Sequence, residues 1–251
     1  MIPADCMLDF TISLWYPQTI KNRKKAFVMN LFDILGPVMV GPSSSHTAGA
    51  VRIGYISKCL LQDTPAKARI LLHGSFATTG IGHGTDKALI AGLLGMQPDD
   101  TRIPDSFQIA QENGLKYSFQ TTSLKDAHPN TAVLYLTGKN GKTIKVQASS
   151  IGGGRIMINQ LDDIVVNFSS EKPTLIVHNL DQPGHVAEVT SMLAHKSVNI
   201  ATMQLYRNKR GGYAVMVIET DQDIPEESLT WLEHLEGVYK VTYINTTETS
   251  A

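Results

Sequence analysis

The sequence predicts an α+β protein, in which a mixed, largely antiparallel sheet carrying helices is followed by a smaller βαββαβ unit. Three observations lead there. Two segments of helical apolar period, 48–61 and 87–94, precede a run of alternating segments from 115 to 159. Those alternating segments fold about Asn140-Gly141, a dipeptide that supplies the positive φ angles of a type I′ hairpin. A polar stretch with a proline, Asn167-Phe168-Ser169-Ser170-Glu171-Lys172-Pro173, then separates all of this from six well-punctuated elements.

Taken in chain order, residues 1–29 show little periodicity and no caps, and read as a poorly ordered extension. The first unit spans 30–168. A short apolar element at 31–40 leads into Gly41-Pro42-Ser43-Ser44-Ser45-His46-Thr47-Ala48-Gly49. Gly41 and Pro42 stop regular structure, and Ser43, Ser44 and Ser45 are good N-caps for helix 48–61. A β-like run at 69–72 ends in His73-Gly74-Ser75-Phe76, and Gly80-Ile81-Gly82-His83-Gly84-Thr85-Asp86 opens helix 87–94. A helix at 104–112 ends at Asn113-Gly114, and strands follow at 115–120, 131–137, 143–149, 155–159 and 164–168. Polar loops lie at the strand ends, Asp126 to Thr131 and Ser149 to Gly154.

The second unit, 173–248, reads strand 174–179, helix 184–195, strands 199–206 and 212–220, helix 225–235 and strand 238–244. Tyr213, Val215 and Val217 alternate with Ala214, Met216 and Ile218, so this strand is apolar on both faces. One face meets the two helices. The other needs another sheet or subunit to cover it, and oligomerisation through this unit is therefore expected.

Composition removes several classes of function. Of 251 residues 42% are hydrophobic and 18% charged, and 22 Lys and Arg balance 23 Asp and Glu. No basic block is present to neutralise a run of phosphates, so nucleic acid is not an expected partner. No run approaches the ~20 apolar residues that span a bilayer. The basic cluster Lys21, Arg23, Lys24 and Lys25 follows the apolar part of the N-terminus, the reverse of a secretory signal, so a cytoplasmic protein is expected. With only Cys6 and Cys59, neither a disulfide framework nor a cluster-ligating set can be assembled on this chain.

The serine-histidine stretch calls for a ligand. Hydroxyls and an imidazole crowd the start of a helix, where free N–H groups favour a carboxylate or another small anion. The glycines of 80–84 lack the Lys-Ser/Thr pair of a phosphate loop and the order of a dinucleotide fingerprint. They read better as backbone brought close to a second wall of the same pocket, with His83 and Thr85 projecting from it. Taken singly, a histidine is more often structural than catalytic. It is their placement in loops flanked by glycine and hydroxyls that singles out His46, His73, His83 and His128.

These residues carry a resemblance. Residues 31–168 are similar to the β chain of bacterial iron–sulfur L-serine dehydratases, and to the allosteric substrate-binding domain of phosphoglycerate dehydrogenase, through Gly41 to Thr47, His73 to Phe76, Gly80 to Asp86, His128 to Thr131 and Ser150 to Gly154. The C-terminal unit resembles an ACT domain, a ferredoxin-like regulatory fold, through Asn179-Leu180-Asp181-Gln182-Pro183-Gly184 and Ser197-Val198-Asn199-Ile200. The resemblance implies a lyase that forms pyruvate and ammonia from L-serine, with a [4Fe-4S] cluster on a separate α subunit acting as Lewis acid on the substrate hydroxyl. On that expectation His46 is the base, since an imidazole ordinarily titrates near neutral pH. Ser43, Ser44, Ser45, Thr47, His73, Ser75, His83, Thr85, His128, Asn130, Ser150 and Gly153 bind substrate, and Asn179, Asp181 and Asn199 bind an effector. A carboxylate at Asp181 would repel the carboxylate of serine and welcome a cation. The other expectation is a non-catalytic, serine-sensing regulatory subunit.

Overall fold

The computed structural model describes residues 38–80 and 82–245. The expectations for 1–29, for most of the apolar element at 31–40 and for Cys6 fall outside these residues.

Ser43 caps a five-residue π turn, Ser44–Ala48, which runs directly into helix α1, Gly49–Leu61. Strand β1, Pro65–His73, is followed by a single helical turn α2, Ser75–Thr78, then α3, Thr85–Leu93, a 3₁₀ turn at Ile103–Asp105, and α4, Ser106–Glu112. Strands β2 (Lys116–Thr122), β3 (Thr131–Gly138), β4 (Thr143–Gly152), β5 (Arg155–Leu161) and β6 (Ile164–Phe168) complete a six-stranded sheet of order β2-β1-β3-β4-β5-β6. The β1–β2 pair is parallel, because three helices cross between those strands, and every other pair is antiparallel.

Alternation decides which side of the sheet is covered. Ile70, Leu134, Val146 and Ile158 are buried in one apolar core with Val51, Ile53 and Leu60 of α1 and Leu89, Ile90 and Leu93 of α3. The intervening positions are mixed, with Leu71, Val133 and Met157 alongside polar residues, and Arg69 lies over the Tyr135 ring at 4.1 Å. Helices α1 and α3 cross so closely that a Cβ on Gly92 would collide with backbone atoms of Val51 and Tyr55, and one on Gly54 with those of Leu89 and Leu93.

The hairpin at 138–142 is not the expected type I′ turn. Only Gly141 has positive φ (84°) and Asn140 does not, and Gly141 N–H donates to the Gly138 carbonyl at 3.1 Å. Asp63 explains the difference. Its carboxylate accepts from Asn140 N at 2.8 Å and Nδ2 at 3.0 Å, holding Asn140 in an ordinary conformation while glycine alone takes the left-handed one.

Beyond Phe168 a second sheet has the order β10-β7-β9-β8, formed by β7 (Thr174–Leu180), β8 (Ile200–Arg207), β9 (Tyr213–Thr220) and β10 (Val238–Ile244). Helices α5 (His185–His195) and α6 (Glu226–Glu233) cover one face, enclosing Leu175, Val177, Val189, Leu193, Met216 and Leu232. The other face is not left waiting for a subunit. Ile176, Val215, Val217 and Ile244 join the core of the first sheet, Lys240 Nζ donates to the Leu60 carbonyl at 2.7 Å, and Gln62 Nε2 donates to the Val241 carbonyl at 2.7 Å. The C-terminal end of α1 covers this face within the chain. Among the described residues no helix is long and apolar enough to cross a membrane.

Candidate active site

The π turn brings the first histidine into place. Gly49 N–H bonds back to the Ser44 carbonyl, and the extra residue in that turn leaves Ser43 Oγ to accept from His46 N at 3.2 Å. Across from it, β1 is followed by Gly74 (φ 56°), which lies against the backbone of Pro129 so tightly that a Cβ would collide with it. The chain then makes the short turn of α2 and runs on to His83, just before α3. Two loops far apart in sequence thereby face each other. The rings of His46 and His83 are 5.0 Å apart, and His46 meets the edge of buried Phe76 at 5.4 Å.

The hydrogen bonds favour one arrangement of the ring protons. Thr79 Oγ1 lies 2.9 Å from the Ser75 carbonyl and 3.1 Å from His46 Nε2, and with its single hydrogen on the carbonyl it accepts from that nitrogen. In that arrangement Nε2 of His46 carries the proton, with Ser75 Oγ also 3.0 Å from it. Its bare nitrogen is Nδ1, turned to the Ser43 hydroxyl at a long 3.4 Å. His83 is the reverse. Its Nδ1 lies 3.0 Å from the Thr79 carbonyl oxygen, which accepts only, so Nδ1 holds the hydrogen and Nε2 of the neutral ring is bare. Desolvation by burial, and then the neighbouring His83, hold the His46 pKa below its ordinary value, so His46 stays neutral at pH 7.

Other expected residues fall into tiers. Thr47 is buried and donates to the His83 carbonyl at 3.3 Å, tying the two loops together. Thr85 is fully buried beneath Gly80, with its hydroxyl unpartnered among the described residues. Ser44 and Ser45 are half-buried with no side-chain hydrogen bond among the described residues. His128 is exposed and its Nδ1 accepts from Asn130 N at 3.1 Å, on the loop that Gly74 touches through Pro129. Ser150 is buried below the π turn against Gly49, and its N–H donates to the Asn130 carbonyl at 2.9 Å. Two residues stand apart. His73 Nδ1 accepts from Leu124 N at 3.2 Å and so pins the chain leaving β2, and Gly153 sits exposed in the β4–β5 turn.

The expected effector residues do not meet within one chain. Asn179 and Asp181 lie at the β7 end that pairs with Tyr213, whereas Asn199 lies at the opposite end of the sheet, bonded to Asp221 Oδ2 at 2.7 Å. Asp181 is already engaged by Gly211 N–H at 2.9 Å and by Arg207 at 3.2 Å. Those contacts, the backbone one foremost, hold its carboxyl below the usual carboxylate range.

Sequence reasoning missed Thr79, which touches both imidazoles. The signal was present as a spacing of four through Ser75, Thr79 and His83, one face of a continued helical turn. It also missed Asp86 and Lys87, which with Pro42, Thr47 and His83 line a cleft of about 410 Å³. That space suits one small amino acid and offers both signs of charge. No group of three His, Cys, Asp or Glu able to hold a metal occurs among the described residues. Burial also pushes the half-buried Cys59 thiol up, away from the thiolate a cluster requires.

Comparison with known proteins adds to this geometry. The family described as "Serine dehydratase beta chain" matches residues 28–116, and that described as "ACT domain" matches 173–230. The chain is 40% identical over 215 residues to the "Probable L-serine dehydratase, beta chain" of Bacillus subtilis, covering 86% of this chain and 97% of that one. It is 40% identical over 196 residues to the "L-serine dehydratase, beta chain" of Peptoniphilus asaccharolyticus, covering 78% and 88%. The D-3-phosphoglycerate dehydrogenase of Bacillus subtilis is 24% identical over 197 residues, covering 78% of this chain and 37% of that protein.

Proposed function

Since the chain belongs to the serine dehydratase β-chain family, we infer that it is the β subunit of an L-serine dehydratase, working with an α subunit on L-serine. The observation that carries a catalytic part for this chain is the facing pair His46 and His83 beside a cleft sized for one amino acid.

In the elimination, L-serine loses its α-proton and its β-hydroxyl, giving water and aminoacrylate, which tautomerises and hydrolyses to pyruvate and ammonia. We assign the proton abstraction to His83 rather than to His46. His83 is exposed and has its Nε2 lone pair free, while His46 turns an N–H towards Ser75 and Thr79 and keeps its lone pair against Ser43. A neutral His46 beside it adds no charge that would resist protonation of the base. We assign the substrate carboxylate to Lys87 and its ammonium to Asp86, both on the wall of the cleft, with Ser44 and Ser45 on the neighbouring π turn as further hydroxyl partners. Departure of the hydroxyl needs chemistry that the described residues do not supply, and we place the [4Fe-4S] cluster on the α partner. The open cleft, with Thr79, His83, His128 and Pro129 all exposed, suits closure by that partner.

Oligomerisation through the ACT domain rests on β8, an edge strand with Leu205 exposed. An effector site using both Asn199 and the Asn179–Asp181 loop requires a second copy, because one chain holds them at opposite ends.

The test is turnover by the anaerobically assembled α/β enzyme. His83→Ala is expected to lower kcat by about 10²-fold or more, the usual worth of a general base, and His46→Ala by less. If His83→Ala turns over like the wild type while His46→Ala is dead, the base is His46. If both keep kcat and change only the cooperativity for serine, the chain is a sensor and contributes no catalytic group.

A further inference from the structure

Thr79 closes two turns at once. Its N–H and its hydroxyl both donate to the Ser75 carbonyl at 2.9 Å, and its own carbonyl accepts from His83 N at 3.3 Å and from His83 Nδ1 at 3.0 Å. Its hydroxyl oxygen also lies 3.1 Å from both His46 Nε2 and Ser75 Oγ. We propose that Thr79 is a positioning residue that sets the tautomer of both imidazoles: its hydroxyl holds His46 in the Nε2–H form, and its carbonyl holds His83 in the Nδ1–H form with Nε2 bare. The proposal rests on the assignment of His83 as base.

The proton count makes this specific. With its one hydrogen committed to the Ser75 carbonyl, the Thr79 hydroxyl is an acceptor for both the imidazole and the Ser75 hydroxyl. Without it, the protein acceptor already beside Ser75 Oγ–H is His46 Nε2, 3.0 Å away. Donation to that nitrogen favours a bare Nε2, with the ring proton moved to Nδ1. Thr79→Val is therefore expected to invert the tautomer of a ring it does not carry. The inverted ring turns a lone pair inwards and an N–H towards Ser43, which repacks the hydroxyls beside the cleft.

Valine is isosteric with threonine and keeps its packing, whereas serine keeps the hydroxyl and loses the methyl. Turnover is measured on the assembled α/β enzyme, and His46 ring ¹⁵N shifts are recorded on the same complex with histidine-labelled β chain. Thr79→Val should switch His46 from the Nε2–H to the Nδ1–H pattern and lower kcat about tenfold, the effect of roughly one hydrogen bond, with KM for serine within about twofold. Thr79→Ser should restore both the pattern and kcat. A Thr79→Val enzyme with wild-type shifts overturns the proposal, and so does a Thr79→Ser enzyme impaired as much as Thr79→Val, which marks a packing role. His83→Ala, run alongside, keeps the two ideas separate. Full activity there removes the base assignment, and the ring shifts still decide the role of Thr79.

Discussion

Gly49 has no room for a methyl group. The Ser150 hydroxyl, buried and without a hydrogen-bond partner among the described residues, occupies the place a Cβ would take, so the π turn rests directly on the β4 strand. Gly49→Ala should destabilise the protein by about 1–3 kcal/mol, the usual cost of overpacking, as read by urea unfolding. Adding Ser150→Gly should recover most of that loss, because the clash is with that side chain. At this scale the sequence was informative wherever chemistry is written in residue type. His46, Ser75 and His83 stood out as loop hydroxyls and imidazoles, and they do converge. What it could not show was the direction of each hydrogen bond, which depends on partners supplied by the fold. His73 illustrates the limit: placed in the same kind of motif as His83, it ends up bonding Leu124 N instead of lining the cleft.

Between elements, the decisive contact is the crossing of α1 and α3 at Gly54 and Gly92. The π turn that continues into α1 carries His46, and the loop entering α3 carries His83, so the closeness of these two helices fixes the separation of the two rings. Gly92→Ala would force the helices apart, since the added carbon meets backbone of Val51 and Tyr55 that has no rotamer to yield. A fall in melting temperature of several degrees is expected, consistent with about 1–3 kcal/mol, together with a larger loss of kcat than of serine affinity. A Gly92→Ala protein with unchanged turnover would show that the ring spacing does not depend on the crossing. Strands and helices were legible from periodicity, most clearly after residue 173, where glycines, prolines and apolar runs alternate sharply. The hairpin at Asn140 was legible as a turn but not in its type, because the side chain that settled it, Asp63, lies 77 residues away in sequence.

At the scale of the molecule, the two sheets share a buried boundary, and His178 lies on it. Desolvation by that burial, and then the nearby Lys240, push its pKa down to about 4 from an ordinary 6.5. The folded protein keeps this ring neutral, while the unfolded chain takes up its proton near 6.5. Stability is thus complete above that pH and is lost as the pH falls towards 4, by up to about 3 kcal/mol at about 1.4 per unit. Chemical denaturation at pH 7.5 and pH 4.5 should reveal this acid lability, and His178→Leu should reduce it. The alternation in β9 disclosed a second apolar face but not its neighbour, since a covering helix from 150 residues upstream leaves no local mark. Lys240 anchors the last turn of α1, and the first turn of that helix adjoins His46. A thirteen-residue rod of about 20 Å joins them. If docking of the small sheet shifts this rod, the alignment of the imidazoles shifts with it, and reciprocity makes such a coupling equal in both directions. A molecule that tightened the grip at either end would be felt, with the same free energy, at the other.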